Sequence, residues 1–560
     1  MDKVWEIKPK VFDDITLQLL YNRQIITKKA EADLVRNFIE PDFESDFHDP
    51  KLLPDYKKFE ERLIKAIENK EKVGVFADYD ADGIPGAAFL YKALRKLNLQ
   101  VEVYIPTREE GYGLNKKGLD LLIKNGCNLI ITIDLGIKAH DMANYLDGKC
   151  DLIISDHHLP DETLPKAIAV VNPKIIGSKY PFTELSGAGV VFKLVQGLSK
   201  IFPKELSESF LKWNLDLIAI STISDVVPLI DENRIIAKFG IISLSKTKNL
   251  GLKELYKVTA FDPGKMNTYS ISFQIAPRIN APGRIDHATK SFELLVSENE
   301  EEAKNLAKWL NEQNQVRQDL MDEVEESAIK EIIERNLDQN KIIILSGKWP
   351  KGVIGPSASR LVERFRRPVI ILTEEKGGFS GSSRSLPCFN IVAGLKQVEK
   401  YLTLYGGHKG AAGLSLKTDQ LAGFEKEIIK IANKEISAED LLPKLNIDTE
   451  VSTSDLTVKQ FEQISKLEPF GLGNPRPVFC LRKAKIVRFQ YVGSENKHLK
   501  LILESSSKQF EAIYFSCGME GNRIKINGKY DIVFNPEINR WNGREIVSLN
   551  ISDMKEADGK

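Results

Sequence analysis

Over residues 56–225 the chain alternates short apolar runs with amphipathic stretches. Val73–Ala77, Val101–Ile105, Leu129–Ile133 and Leu152–Ser155 are rich in Val, Ile and Leu and read as strands buried on both faces. Tyr56–Asn69, Gly86–Leu97 and Asn115–Asn125 carry the three- and four-residue spacing of helices. This alternation predicts βαβ units and a mostly parallel sheet. Asp216–Ser224 is apolar enough to be buried as helix or strand, and a helix is favoured because the upstream strand count already suffices. Residues 1–45 read as a short N-terminal helical element. From Ser291 to Asn336 the sequence is charged, lacks Gly and Pro, and spaces Leu306, Trp309 and Leu310 as on one helix face. It predicts one long helix connecting two domains. A second α/β block follows: strand Ile342–Ser346, helix Ser357–Arg366 and strand Val369–Leu372. After Val478, KAKIVRFQYVG, HLKLILES, QFEAIYFS, YDIVFNPEI and EIVSLNISD suit a small β-barrel. The expected fold class is α/β multidomain: an extension (1–45), a parallel-sheet domain (46–290), a connecting helix (291–336), a smaller α/β domain (337–440) and a C-terminal β-barrel (441–560).

Length agrees with several domains, since 560 residues exceed what a single core usually supports. Lys plus Arg (79) balances Asp plus Glu (79), so a polyanion partner would have to meet locally clustered basic groups. Five cysteines form no paired spacing and are expected to be reduced. There is no signal-peptide pattern and no apolar run of membrane-spanning length, which predicts a cytoplasmic protein without membrane contact.

Chemistry enters at the ends of the apolar runs. VGVFADYDADG closes on Asp78, Asp80 and Asp82, LIITIDLG on Asp134, DLIISDHH on Asp156, His157 and His158, and LIAISTISDVVPL on Asp225. In an open α/β sheet, ligands gather beyond the carboxyl ends of the strands, so these positions can converge. If the extended geometry of the first run continues through its turn, all three of its carboxylates point one way. Oxygen ligands with an occasional imidazole suit Mn²⁺ or Mg²⁺, and a shared carboxylate suits a pair of such ions in a phosphoester hydrolase. Simpler readings exist for single residues: Asp82 could be a helix cap, and Asp225 could merely end its element. A calcium loop requires a Glu near its twelfth position, where this chain is apolar. Farther on, GFSGSSRSLPCFNI and LYGGHKGAAG surround Arg384 and His408 with small residues, which allows a phosphate to approach backbone amides beside a cation. Taken singly they are also what plain glycine turns look like.

The order DYDADG, IDLG, DHH and SDVVPL closely resembles the DHH phosphoesterase superfamily and, within it, the RecJ single-stranded-DNA exonucleases. The resemblance covers nearly the whole chain. It implies that Asp80 and Asp134 hold one divalent ion, with Asp78 nearby, and that Asp82, Asp134, His157 and Asp225 hold the other, Asp134 bridging. Asp156 would orient His157, and His158 would contact the scissile phosphate. In the DHH-associated substrate-binding domain, Ser382, Arg384, Gly406, Gly407 and His408 would grip phosphates. Arg108 would join Ser382 and Arg384 at a 5′-phosphate pocket. In QIAPRINAPGRID, which presents Arg278, Asn280 and Arg284, Arg278 would block duplex entry or position the strand. LEPFGLGNPRPVF resembles the passage into an OB-fold, where Phe489, Tyr491, Tyr514 and Phe515 are candidates for base stacking or for the barrel core. Two departures from the family pattern are Pro85, where Thr is common, and Ser383, where Gly is common and a stiffer turn is expected.

The implied activity is 5′→3′ hydrolysis of single-stranded DNA to 5′-mononucleotides in recombination and repair, with two Mn²⁺ or Mg²⁺ ions. A monomer is implied, and a single-stranded-DNA-binding protein and a helicase are the implied partners. Two rivals make different demands. A DHH oligoribonuclease or cyclic-dinucleotide phosphodiesterase would not need the barrel, and a non-catalytic DNA-binding scaffold would not need every ligand.

Overall fold

The computed structural model describes residues 3–111, 113–517, 524–541 and 544–557. The chain forms two compact units. The first comprises Trp5–Ala276, Phe292–Ala303 and Leu445–Lys560; the second comprises Met1–Val4, Pro277–Ser291 and Lys304–Lys444.

The first unit is built on a five-stranded parallel sheet of β1 (Lys72–Ala77), β2 (Gln100–Tyr104), β3 (Cys127–Ile133), β4 (Asp151–Ser155) and β5 (Ala169–Val171), in the order β2-β1-β3-β4-β5. Ala77 pairs with Ile133 and Ser155 with Val171, so β1, β3, β4 and β5 end nearly level. Three helices pack together beside this sheet: α1 (Gly83–Lys96), α2 (Gly187–Ser199) and α3 (Glu208–Ser224). Phe89 of α1 stacks with Phe192 of α2 and Phe210 of α3, ring centroids 6.1 and 5.9 Å apart. The apolar run Asp216–Ser224 is helical, as favoured from the sequence. Leu215–Ile223 is buried on all sides, which erases the polar face that marks most helices.

The C-terminal barrel belongs to the same unit. Its strands are Thr449–Val451, Phe479–Val492, His498–Ser505, Lys508–Tyr514, Lys529–Trp541 and Arg544–Glu556, and pairing of Phe479–Val492 with Lys529–Trp541 closes it. Ile15, Leu19, Leu20, Ile26 and Phe38 of the N-terminal segment lie in the core that the barrel residues Phe479, Leu501 and Ile532 build.

The second unit has a mixed sheet of β6 (Ile343–Gly347), β7 (Val369–Glu375), β8 (Gly378–Arg384), β9 (Leu404–His408) and β10 (Ala411–Lys417), ordered β9-β10-β8-β7-β6. Only β6 and β7 run parallel. The first glycine-rich string opens with strand β8, and the second forms β9, its turn and the start of β10, which pairs with β8. The stretch 291–336 is not one helix: Thr289–Val296 stops, and a 35-residue helix, Glu300–Glu334, begins after a break. The break is a capping arrangement, with Asn299 Oδ1 accepting from the Glu302 amide (3.0 Å) and Ser297 Oγ donating to Glu302 Oε2 (2.8 Å). All five cysteines are free thiols. Among the described residues no helix is long and apolar enough to cross a membrane.

Candidate metal centre

The site grows out of the sheet one residue past its strands. The amides of Asp78, Asp134 and Asp156 extend the ladder by one bond each, donating to Ile133 O (3.2 Å), Ser155 O (3.1 Å) and Val171 O (3.1 Å). Three carboxylates from three neighbouring strands are therefore set side by side. Asp134 does this in a left-handed conformation (φ +63°), which Asp tolerates better than most residues.

After Asp78 the chain does not stay extended. Asp80 Oδ1 accepts from the amides of Asp82 (2.8 Å) and Gly83 (3.1 Å), starting α1, so Asp80 rather than Asp82 caps that helix. The Asp82 carboxylate turns instead to the N-terminus of α2. It accepts from Gly187 N (2.7 Å), Ala188 N (2.8 Å) and Ser221 Oγ (2.6 Å). An anion is well placed at a helix N-terminus. Gly187 is required there, because a Cβ would lie 2.6 Å from Asp134 Cβ. Asp225 caps the C-terminal end of α3, and its amide donates to Ser221 O at 2.9 Å.

The result is a cluster in which Asp78, Asp80 and Asp134 offer one set of cation ligands and Asp82, His157 and Asp225 another. Asp134 also groups with His157 and His158. His157 Nδ1 lies 3.0 Å from Leu185 O, so it carries the proton and leaves the Nε2 lone pair facing the carboxylates. Nε2 is 3.1 Å from Asp134 Oδ1 and 3.7 Å from oxygens of both Asp82 and Asp225. Two cis ligands of an octahedral ion stand about 2.9 Å apart, so this spacing fits a shared cation. Burial holds His157 below the ordinary imidazole value, against the pull of Asp82. Burial and then mutual repulsion push the Asp78 and Asp134 carboxyls well above theirs, and by the same causes Asp225 is pushed up to about 9. A lone pair and ionisable carboxyls facing one another in a buried site call for cations. The donor set fits Mn²⁺ or Mg²⁺.

Asp156 does not orient the His157 ring. Its Oδ1 accepts from the backbone amides of His157 (2.7 Å) and His158 (3.0 Å) and from His158 Nδ1 (2.8 Å), while Oδ2 accepts from Ile137 N (2.9 Å). The imidazole it positions is His158. Burial would lower the His158 pKa, but the bond to Asp156 and its charge outweigh burial and raise it. Arg108 opens a short 3₁₀ turn after β2 with its guanidinium 5.1 Å from the Tyr79 ring centroid, and its charge acts against the rise at Asp78.

In the second unit, Ser382, Gly413 and Gly406 form one cross-strand row and Arg384, Ala411 and His408 another, on the same sheet face. On that face the helix Lys351–Phe365 packs so closely against Ser382 and Arg384 that a Cβ on Gly355 would stand 3.1 Å from Ser382 Oγ and Arg384 Nη2. Arg384 Nη1 donates to Ser382 Oγ (3.1 Å) and Ser383 O (2.8 Å), and burial lowers the guanidinium pKa. Gly407 points to the opposite face with φ +144°, where a Cβ would meet Ala411 O at 2.3 Å. Ser383 also faces that side, buried, its hydroxyl donating to Ala412 O (2.9 Å), so it stiffens no turn. Arg278, in the short helix Ala276–Asn280 that Asn280 ends, is anchored by Asn311 Oδ1 (2.9 Å), and Arg284 reaches Gly352 O (3.3 Å). In the barrel, Tyr514 is core, Phe489 and Tyr491 are half-buried, and Phe515 is exposed with its ring edge-on to His498.

Sequence reading missed Gly187, Ala188 and Ser221, which hold Asp82, Ser186, whose hydroxyl bonds that of Ser221, and the Leu185 carbonyl that fixes His157. A Ser-Gly-Ala-Gly string before an apolar run was a legible helix start. Its acceptor, 105 residues away, was not.

Comparison with known proteins places these features in company. Residues 72–222 match the DHH family, N-terminal domain, residues 339–437 the DHHA1 domain, and residues 447–553 the RecJ OB domain. The single-stranded-DNA-specific exonuclease RecJ of Bacillus subtilis (strain 168) is 38% identical over 514 residues, covering 91% of this chain; the chain spans 64% of that relative's length. The protein of the same name from Haemophilus influenzae is 30% identical over 519 residues, covering 89% of this chain and 90% of the relative. The crystal structure of RecJ from Thermus thermophilus in complex with Mn²⁺ superimposes with a TM-score of 0.80 at 25% identity, over 99% of this chain and 80% of that one.

Proposed function

The chain belongs to the RecJ family, and from that membership we propose that it is a metal-dependent exonuclease that degrades single-stranded DNA from the 5′ end to 5′-mononucleotides. The observation that carries the reading is the pair of ligand sets meeting at Asp134 and His157 beyond the sheet. Asp78, Asp80 and Asp134 would hold one divalent ion, and Asp82, Asp134, His157 and Asp225 the other, Mn²⁺ or Mg²⁺ in both. Bound there, the ions supply a water nucleophile at neutral pH and neutralise charge developing on the phosphate.

The protein's own groups do the rest. Leu185 O keeps the His157 proton on Nδ1. Asp156 fixes the His158 ring through Nδ1 and raises its pKa, which favours the form whose Nε2–H can hold a phosphate oxygen. α2 presents two amides that fix Asp82 and need not reorganise during turnover. Arg108 supports binding of the 5′-phosphate. In the second unit, Ser382, Arg384, Gly406 and His408 lie on one side of the sheet and would offer a hydroxyl, a cation, an imidazole and little steric bulk at the glycine to the sugar–phosphate backbone, with Gly407 shaping the edge strand. Arg278 and Asn280 meet the incoming strand, and the barrel binds it farther along. Action in recombination and repair, a cytoplasmic location, a monomeric state, and work alongside a single-stranded-DNA-binding protein and a helicase follow from the same reading.

The test is degradation of long single-stranded DNA, labelled at either end, with Mn²⁺. Wild type should release labelled mononucleotides from the 5′ end, and Asp134→Ala should be slower by about 10³-fold, the loss of several kcal/mol of charge stabilisation. Release from the 3′ end would refute the polarity. Equal rates for the two proteins would refute the metal centre. Cleavage of only short RNA or a cyclic dinucleotide would favour the small-substrate reading.

A further inference from the structure

The long helix Glu300–Glu334 buries an apolar stripe that includes Leu310, Met321, Val324 and Ala328. Between Leu310 and Met321, at the three- and four-residue spacing that would continue the stripe, stand Asn314 and Arg317. Asn314 is 2% exposed, and its Oδ1 accepts from Nε (3.3 Å) and Nη2 (3.0 Å) of half-buried Arg317. Arg317 Nη1 lies 3.4 Å from Met321 Sδ. One turn earlier, Asn311 Oδ1 accepts from Arg278 Nε (2.9 Å). Residues three apart are neighbours on a helix surface, so Asn311 and Asn314 aim two guanidiniums into one region. Burial, then repulsion from Arg360 and Arg278, lowers the Arg317 pKa.

A partly desolvated cation beside other cations calls for a counter-charge. Among the described residues Arg317 has no carboxylate partner. Asp322 Oδ1 and Glu325 Oε2, close by on the same helix, accept instead from Arg360 Nη1 (2.5 and 3.2 Å). A guanidinium has five N–H groups, and Arg317 uses three on Asn314 and Met321, which leaves one on each Nη. Met321 also packs with Val353 of the helix Lys351–Phe365, the helix whose Gly355 abuts Ser382 and Arg384. The arginine pair and the phosphate-gripping residues of the sheet thus share one supporting helix.

We propose that Arg317 and Arg278 form a second phosphate subsite, in which the paired guanidiniums hold an internal phosphodiester of the single strand. The inference rests on the reading of the chain as a single-stranded-DNA exonuclease. The phosphodiester supplies the counter-charge that Arg317 lacks, and guanidiniums already fixed by amide oxygens need little reordering to take it.

The experiment is equilibrium binding of a fluorescently labelled oligothymidylate to the full-length, metal-stripped protein over a range of NaCl concentrations, with thermal melting alongside. The variants are Arg317→Gln, Arg317→Lys and Lys330→Gln. Arg317→Gln should bind about tenfold more weakly, and its plot of log K against log salt should be shallower by about 0.7, the loss of one phosphate contact. Its melting should stay near that of wild type, because no ion pair is lost and Gln keeps a donor for Asn314. Arg317→Lys should keep the wild-type slope. Lys330→Gln removes the same charge from the same helix about 20 Å away, beyond the screening length, and should leave the slope unchanged. Wild-type affinity and slope in Arg317→Gln would overturn the proposal, whatever its melting. So would an equal loss of slope in Lys330→Gln, which would make the effect one of net charge. Failure of wild type itself to bind the oligothymidylate would bring down the single-stranded-DNA reading and this proposal with it. Equal binding by wild type and Arg317→Gln would bring down this proposal alone.

Discussion

Gly187→Ala tests how tightly the centre is assembled. The backbone conformation is open to alanine, so the effect is purely steric. The new Cβ would stand 2.6 Å from Asp134 Cβ, 2.9 Å from its Cγ and 2.8 Å from its Oδ1. Carbon atoms pack at roughly 3.5–4.0 Å, so about 1 Å of room must be found. Asp134 cannot readily give way, because its amide is bonded to Ser155 O and its backbone is already left-handed. If α2 retreats instead, the 2.7 Å bond from Gly187 N to Asp82 stretches beyond hydrogen-bonding range. That bond to a charged group is worth about 1.5–3 kcal/mol. A 1 Å misplacement at a reacting centre costs about 10²-fold in rate. The expected result is mononucleotide release at saturating Mn²⁺ slowed about 10²-fold, with weaker Mn²⁺ binding by calorimetry. Global destabilisation should stay within the roughly 1–3 kcal/mol of a single overpacking. Gly189→Ala is the control, since its Cβ would meet only Ser186 Oγ at 3.2 Å and Leu185 at 3.5 Å. Wild-type rate and affinity in Gly187→Ala would refute the account of how α2, Asp82 and Asp134 fit together.

Two further perturbations probe the surroundings. Asp78, Asp134 and Asp225 have native carboxyl pKa values above the unfolded value near 3.9, so the metal-free native state holds protons that the unfolded chain has released. Stability of the metal-free protein should therefore fall as pH rises from about 4 towards the Asp225 value of about 9. Urea midpoints at pH 7.0 and 8.5 measure the fall, to which the raised His158 also contributes; Mn²⁺ and Asp225→Asn should each reduce it, and a midpoint that rises with pH would contradict the repulsion argument. Val226→Gly replaces a β-branched residue in a left-handed conformation that costs roughly 1–2 kcal/mol, against about 0.5–1 kcal/mol of added chain entropy. The variant should gain roughly 0.5–1 kcal/mol by chemical denaturation; a loss would show that the exposed side chain makes contacts that matter.

The parts of the fold legible in the sequence are those whose physics is local. Runs such as Val73–Ala77 and Leu129–Ile133 are buried on both faces and bounded by turns, so apolar run length found them. LIAISTIS was assigned as a helix from the strand count and not from its own pattern, because a helix buried all round carries no period. The glycine strings looked like turns since Gly and Ser have poor strand propensity. They are strands because β7 and β10 supply the pairing on both sides of β8, which no window of sequence contains.

The site divides along the same line. Side chains that would meet cations announce themselves by type and place, and Asp78, Asp80, Asp82, Asp134, His157 and Asp225 do come together. The groups that aim them do not announce themselves, for they are backbone atoms and hydroxyls distant in sequence: Leu185 O for His157, and the Gly187 and Ala188 amides with Ser221 Oγ for Asp82. Adjacency misleads at this level. Asp156 neighbours His157 in the chain, yet its carboxylate engages the ring of the next residue, because side chains one apart at the end of a strand leave on opposite sides. The pairing of roles follows from that geometry. The histidine aimed by a neutral carbonyl is buried, kept below its ordinary pKa and suited to a cation. The histidine aimed by a carboxylate is more exposed, raised in pKa and suited to a phosphate oxygen. Two identical side chains in sequence are thereby made into different reagents by the acceptor that each finds in the fold.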